Sequence, residues 1–189
     1  MAGNSEYKKW HKPSNNAKTH QGYYKVANPA KYVGDPELCI YRSGWEMSFC
    51  KWCDVSPSVI RWSSEPVKIP YYDRVANLEM CKQHGLNPNL PANWKIRNYN
   101  VDFWVEVLKN DQTIERWLVE VKPGNKLTKP EPPEGKSTLK ADRNYVYRAK
   151  EYLINEAKFA ACDAYAKKNN CKYYVFTEHT LKSLLGNLW

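Results

Sequence analysis

The chain has 189 residues, 29 Lys and Arg against 20 Asp and Glu for a net charge of +9, and 8 Trp and 14 Tyr interleaved among the basic side chains. That length makes one domain with a sizeable core, and the charge points to a polyanion partner. No apolar run is long enough to span a membrane and no basic amphipathic helix stands out as an anchor, which excludes a membrane protein.

Residues 1–32 are polar and basic, with Trp10, Tyr23 and Tyr24 scattered rather than patterned. They read as a loosely ordered arm able to lie along a nucleic-acid backbone, ahead of a single domain over 33–189. Their opening, MAGNSEYKKWHKP, lacks a signal peptide's apolar core, so the expected compartment is a cytoplasm in which the six cysteines stay reduced.

The first helix begins after Tyr41-Arg42-Ser43. Ser43 is a good N-cap, and Trp45, Phe49, Trp52 and Cys53 recur at helical spacing to give one buried stripe. Glu46 closes a capping box with Ser43, its carboxylate returning to the cap's amide, and the same placement would hold a carboxylate beside a metal; both readings stand. Arg42 is placed either to meet a phosphate or to pair with an acid.

Ser56-Pro57 ends that helix, and Val59–Trp62 and Pro66–Tyr71 read as short extended segments, with Pro66 and Pro70 marking an edge. Glu65, between them, is a further metal or water ligand or an exposed loop acid. Residues 73–95 read as an irregular insertion holding a short helix over Leu78–His84. Cys50-x-x-Cys53 with Cys81-x-x-His84 has spacings that structural zinc sites use, although Cys53 also continues the buried stripe.

The centre of the chain is Arg97 to Lys122. Val101, Phe103, Val105 and Val107, then Trp117, Val119 and Val121, alternate with other residues as two pleated strands do, and Asn110-Asp111-Gln112 supplies the turn of a hairpin. Pairing Lys109 with Thr113 sets Asp102 opposite Glu120, with Lys122 on the same face. Paired carboxylates offer hard oxygens to Mg²⁺ or Mn²⁺, and a nearby lysine orients water or offsets charge on phosphate, as metal-dependent phosphodiester hydrolysis requires. A solvent-facing strand with alternating charges has the same pattern. Asp102, an acid in an aromatic and β-branched strand, is the residue that asks for a partner.

Residues 123–140 form a Pro- and Lys-rich loop, expected to be mobile, whose Lys126, Lys129, Lys136 and Lys140 either track a phosphate backbone or keep the loop soluble. Helix follows from about Ala141, restarted by Asn155 as an N-cap, with Lys158 in the new first turn as a further DNA contact and Phe159, Cys162 and Ala166 as a core stripe. Cys171–Thr177 is a last strand, and Thr177 caps a terminal helix.

With Glu46, Asp102 and Glu120-Val121-Lys122 placed on this order of elements, the chain resembles the PD-(D/E)xK nuclease superfamily. The runs PAKYVGDPELCIYRSGWE, RWSSEPVKIPY, VDFWV, LVEVKP and KFAA-x(3)-YAKK-x(3)-KYYVFTE are similar to the head completion nucleases of T-even-type tailed phages, from Lys31 onward, and more weakly to TnsA-type transposon endonucleases. The resemblance implies an α/β fold with a mixed α+β sheet and a restriction-endonuclease-like core, in the order helix, strand, hairpin, helix, strand. It makes Glu46 the helix carboxylate, Asp102 the motif aspartate, Glu120 the second strand acid and Lys122 the motif lysine. The acids would hold Mg²⁺ or Mn²⁺, and the partners would be double-stranded DNA and phage portal or neck proteins. A monomer acting in the infected host's cytoplasm, or carried in the virion, is expected. Val101 stands where the superfamily often has proline, and 73–95 is longer than the family's segment. A non-catalytic binding module or structural virion protein is the alternative, but a fold used only for binding should have lost an acid or the lysine.

Overall fold

A computed structural model describes residues 12–14, 20–135 and 138–186. In chain order these form β1 (Gly22–Tyr23), β2 (Ile40–Tyr41), α1 (Gly44–Val55), β3 (Val59–Ser64), β4 (Lys68–Tyr72), α2 (Arg74–His84), β5 (Ile96–Asn100), β6 (Phe103–Leu108), β7 (Ile114–Val121), α3 (Leu139–Lys168), β8 (Lys172–Phe176) and α4 (Glu178–Leu185).

The hairpin β6–β7 has the expected register: the Lys109 N–H donates to the Thr113 carbonyl at 2.9 Å, and pairing runs from Leu108↔Ile114 to Phe103↔Val119. Gln112 takes φ 64°, the left-handed position that closes a three-residue hairpin loop. β3 joins antiparallel on β6 and β8 joins parallel on β7, giving a four-stranded mixed sheet in the order β3-β6-β7-β8. A parallel neighbour needs a crossover, which α3 supplies over one face. Phe103, Val105, Val107, Val119 and Val121 point to the other face, under α1 and α4, where the Phe49 ring lies 4.8 Å from that of Phe103 and 5.7 Å from that of Phe176. Leu118 instead meets Cys162 and Ala166 of α3. Helices on both faces of a mixed sheet make this the α/β architecture expected.

The first hairpin arm is shorter than its alternation implied. β5 leaves the main sheet and pairs with β4 as a separate ribbon, from Lys68↔Asn100 to Tyr72↔Ile96. Val101 and Asp102 fall between the two strands, so Asp102 sits where ribbon turns into sheet rather than inside a strand. Both strands of a two-stranded ribbon are edges, which is where Pro70 is tolerated.

Two helices are longer than expected. Asp73 caps α2 by accepting the Ala76 N–H at 2.9 Å, and Gly85 (φ 62°) ends it, so an 11-residue helix replaces the short one. α3 is one 30-residue helix capped by Thr138. Asn155 does not restart it, because the surrounding Ala, Glu, Lys, Arg and Leu residues are strong helix formers that absorb one weaker residue.

Residues 20–32, which composition placed in the arm, belong to the folded body. β1 pairs with β2, and Tyr32 is buried with its ring 4.8 Å from that of Trp62. The fully buried Asp54 carboxylate accepts the Tyr24 hydroxyl at 3.1 Å and the Ala27 and Asn28 amides at 2.7 and 2.9 Å. Charge that is buried must be hydrogen-bonded, and this segment supplies the donors. Residues 1–11 and 15–19 of the expected arm lie outside the described residues.

The zinc expectation fails. Cys50 and Cys53 are buried in the aromatic cluster under α1, whereas Cys81 and the exposed His84 are on α2, which packs against α3. A Cys pair at helical spacing is here a packing stripe, and all six cysteines are free thiols. Among the described residues no helix is long and apolar enough to cross a membrane.

Candidate active site

Strand alternation puts Glu120 on the α3 face of β7, in the same row as Leu118 and Lys122. Its side chain is fully buried, neither carboxylate oxygen has a hydrogen bond of good geometry, and Lys122 Nζ lies 2.8 Å from Oε1 as the counter-ion. Asp102 follows the hairpin register to face Glu120. Its Oδ2 accepts the Val121 N–H at 2.7 Å, and its carbonyl accepts the Glu65 N–H at 2.8 Å. Burial, then the charges of Glu120 and Glu46, push the Asp102 carboxyl well above the usual aspartate range. Burial opposes the charge on Lys122, but Glu120 and then Asp102 outweigh it and keep the side chain an ammonium.

Glu46 closes the cap of α1, and its charge also reaches Asp102. Ser43 Oγ accepts the Glu46 N–H at 3.2 Å and donates to Oε1 at 3.0 Å, while Oε2 accepts the Arg42 N–H at 2.8 Å. This is a capping box displaced by one residue, closing on the amide before the cap rather than on the cap's own. Burial raises the Glu46 carboxyl; the Arg42 amide and Ser43 hydroxyl oppose it, and the charge of Glu120 adds to it. Glu46→Gln keeps an acceptor for the cap, so its cost to stability should stay below about 1 kcal/mol while cleavage falls by about tenfold or more. Thermal melting beside a cleavage rate decides this: a folded variant that cuts DNA at the wild-type rate returns Glu46 to capping alone.

Arg42 and Glu65 are paired with each other, Nε with Oε1 and Nη2 with Oε2 at 3.0 Å, and Asn100 Nδ2 approaches Oε2 at 3.4 Å. Glu65 is therefore a buried partner rather than an exposed loop acid, and its φ of 41° places a non-glycine residue in strained backbone beside the site. Lys126 pairs with Glu151 and lies 5.8 Å from the Tyr147 ring centroid, so it is held to α3. Lys129 and Lys140 are exposed, and Lys136 lies outside the described residues. Lys158 is in the middle of α3, not in a first turn, with its ammonium 4.7 Å from the Tyr99 ring centroid.

Tyr99 and Tyr173 are the residues that pattern reading missed. Both hydroxyls are buried and neither has a hydrogen bond of good geometry; burial raises both, and the charge of Asp102 on Tyr99 and of Glu120 on Tyr173 raises them further. Tyr173 had a signal: parallel pairing of Leu118 with Tyr173 puts it on the face of Glu120. Tyr99 had none, because β5 belongs to a different ribbon.

Among the described residues no three Asp, Glu, His or Cys side chains already stand as a closed metal shell. The donor chemistry nevertheless fits a hard divalent cation. Glu120 presents two oxygens with Lys122 as their counter-ion at Oε1, Asp102 commits one lone pair to Val121, and each Glu46 oxygen accepts a single hydrogen. Burial first, and then the charge of Glu120, raises the carboxyls of Asp102 and Glu46, and a cation beside them would favour their charged forms.

A mixed sheet with helices on both faces, an acid at the N-terminus of a helix, and an Asp facing a Glu-x-Lys across a hairpin together define a PD-(D/E)xK-type nuclease domain. The sequence model described as "TnsA-like endonuclease N terminal" matches residues 56–178, and the chain belongs to this family. It is similar along nearly its whole length to the "Head completion nuclease" of Enterobacteria phage T4, with 30% identity over 165 residues, 87% of this chain and 95% of that protein.

Proposed function

We propose that the protein is a divalent-metal-dependent DNA nuclease acting in phage head completion, where it processes packaged duplex DNA as the head is joined to its tail. One observation carries the chemistry: Glu120, a fully buried carboxylate whose counter-ion is Lys122, has the acids Asp102 and Glu46 beside it in a chain of net charge +9. Asp102, Glu120 and Glu46 would hold the ion. Bound there, Mg²⁺ or Mn²⁺ supplies positive charge to the phosphodiester and makes water a stronger nucleophile. Lys122, kept protonated by its acid neighbours, orients that water and offsets charge that develops on phosphate in the transition state. Readout is of DNA backbone and shape, with the basic residues of the N-terminus and of the 123–140 loop adding phosphate contacts. Portal or neck proteins are the protein partners this reading implies, in the infected host or in the virion.

The experiment is a digestion of linear double-stranded DNA by the purified protein. Degradation should occur with Mg²⁺ or Mn²⁺ and stop in EDTA. Cleavage undiminished in chelator would sink the metal mechanism, and no cleavage with any divalent ion would leave a DNA-binding module. The family match over 56–178 favours, as a second reading, an endonuclease that cuts transposon ends. Cleavage confined to particular end sequences, rather than general attack on duplex, would select it.

A further inference from the structure

Cations crowd this acid cluster, and two of them already have an anion. Lys122 is on Glu120 at 2.8 Å, and Arg42 is on Glu65. Lys158 differs. It reaches in from the middle of α3, and among the described residues it has no hydrogen bond or ion pair. Its ammonium is held over ring faces instead, 4.7 Å from the Tyr99 centroid and 5.9 Å from that of Tyr71. The charges it feels are those of the site: Lys122 first, then Glu120, Asp102 and Asp73.

A half-buried ammonium with three N–H donors and no oxygen acceptor is costly. Aromatic faces offset part of that cost and fix the head in place, but they accept no N–H bond as an oxygen does. Lysines that pack around α3 are neutralised by a carboxylate, Lys126 by Glu151 of α3 and Lys150 of α3 by Glu79 of α2. The acids whose charge reaches Lys158 are Glu120 and Asp102, the candidate metal ligands, and Asp73, which caps α2 and pairs with Arg97; none is bonded to it, which leaves its donors for an anion from outside the chain.

We propose that Lys158 is a phosphate-contacting residue of the active site, donating to a non-bridging oxygen of the DNA phosphodiester beside Asp102 and Glu120 while Tyr99 and Tyr71 hold its ammonium in position. The assignment rests on the nuclease reading and deepens it by dividing the work of the two lysines. Lys122, tied to Glu120, acts on charge that develops during reaction. Lys158 grips the phosphate before and during reaction alike, which is uniform binding and shows in KM.

Two neutral variants test this, Lys158→Met and Lys158→Gln, beside the charge-preserving Lys158→Arg. Affinity for linear duplex DNA is measured in EDTA over a salt series, and cleavage kinetics with Mg²⁺. Either neutral variant should reduce the slope of log affinity against log salt by about 1, one phosphate contact, and should raise KM more than it lowers kcat. Lys158→Arg should restore the slope, since it keeps the charge. A neutral variant with the wild-type slope overturns the assignment, and a lowered melting temperature alongside it makes Lys158 a packing group for the two tyrosines. If Lys158→Met does not fold, Lys158→Gln carries the test with its polar, shorter stem. Wild-type protein that cuts no DNA with any divalent ion is the separate failure of the nuclease reading, and the slope in EDTA is read independently of it.

Discussion

Glu120→Gln should leave a folded protein that binds linear duplex DNA and cuts it about 10³-fold more slowly. The amide has the carboxylate's shape, so the packing of β7 against α3 is kept, and Lys122, whose side chain is 26% exposed, can turn to water when its counter-ion is lost. What disappears is the negative charge on two buried oxygens, of which Oε1 has Lys122 as its counter-ion. Taking a negative charge away beside a polyanion does not weaken DNA binding, so a cleavage rate and a binding isotherm on the same preparation separate catalysis from association. A folded variant with wild-type turnover would move the metal to Asp102 and Glu46 and strip Glu120 of its role.

Lys122→Met should fold, bind a divalent ion, and lose turnover by about 10². The ammonium stands 2.8 Å from Glu120 Oε1 and competes with a cation for that oxygen, so its removal does not lower metal affinity. It does remove the positive charge that Glu120 and Asp102 maintain at the place where phosphate acquires charge. Calorimetric titration with Mn²⁺, run beside the cleavage assay, checks both halves. Preserved turnover would end the catalytic role of Lys122, and lost metal affinity would mean that it organises the carboxylates instead.

The centre of the site was legible because its information is local. Period-2 alternation and a three-residue turn set the register that faces Asp102 to Glu120, and a Ser followed by Glu at capping spacing set the start of α1. The readings that failed depend on partners distant in sequence. β5 left the hairpin because β4 offered it a ribbon, and residues 20–32 joined the body because Asp54 needed donors. Lys158 was placed in a helix turn that does not exist for a different, local reason, since the strong helix formers around Asn155 carry α3 through it. The cysteine spacing misled for a physical reason: Cys-x-x-Cys on a helix is also one face of a core.

The Asp54 carboxylate sets where this protein can be cut short. It stands in the last turn of α1, where the helix dipole disfavours negative charge, and its compensation comes from Tyr24, Ala27 and Asn28. A chain begun at residue 33 would keep every catalytic candidate yet remove the donors of that carboxylate together with the segment packed on it. The damage would reach the reaction through α1, whose other end carries Glu46. A shortened chain should therefore need to start ahead of Tyr24 to keep its melting temperature, since the entry segment braces the helix that carries Glu46.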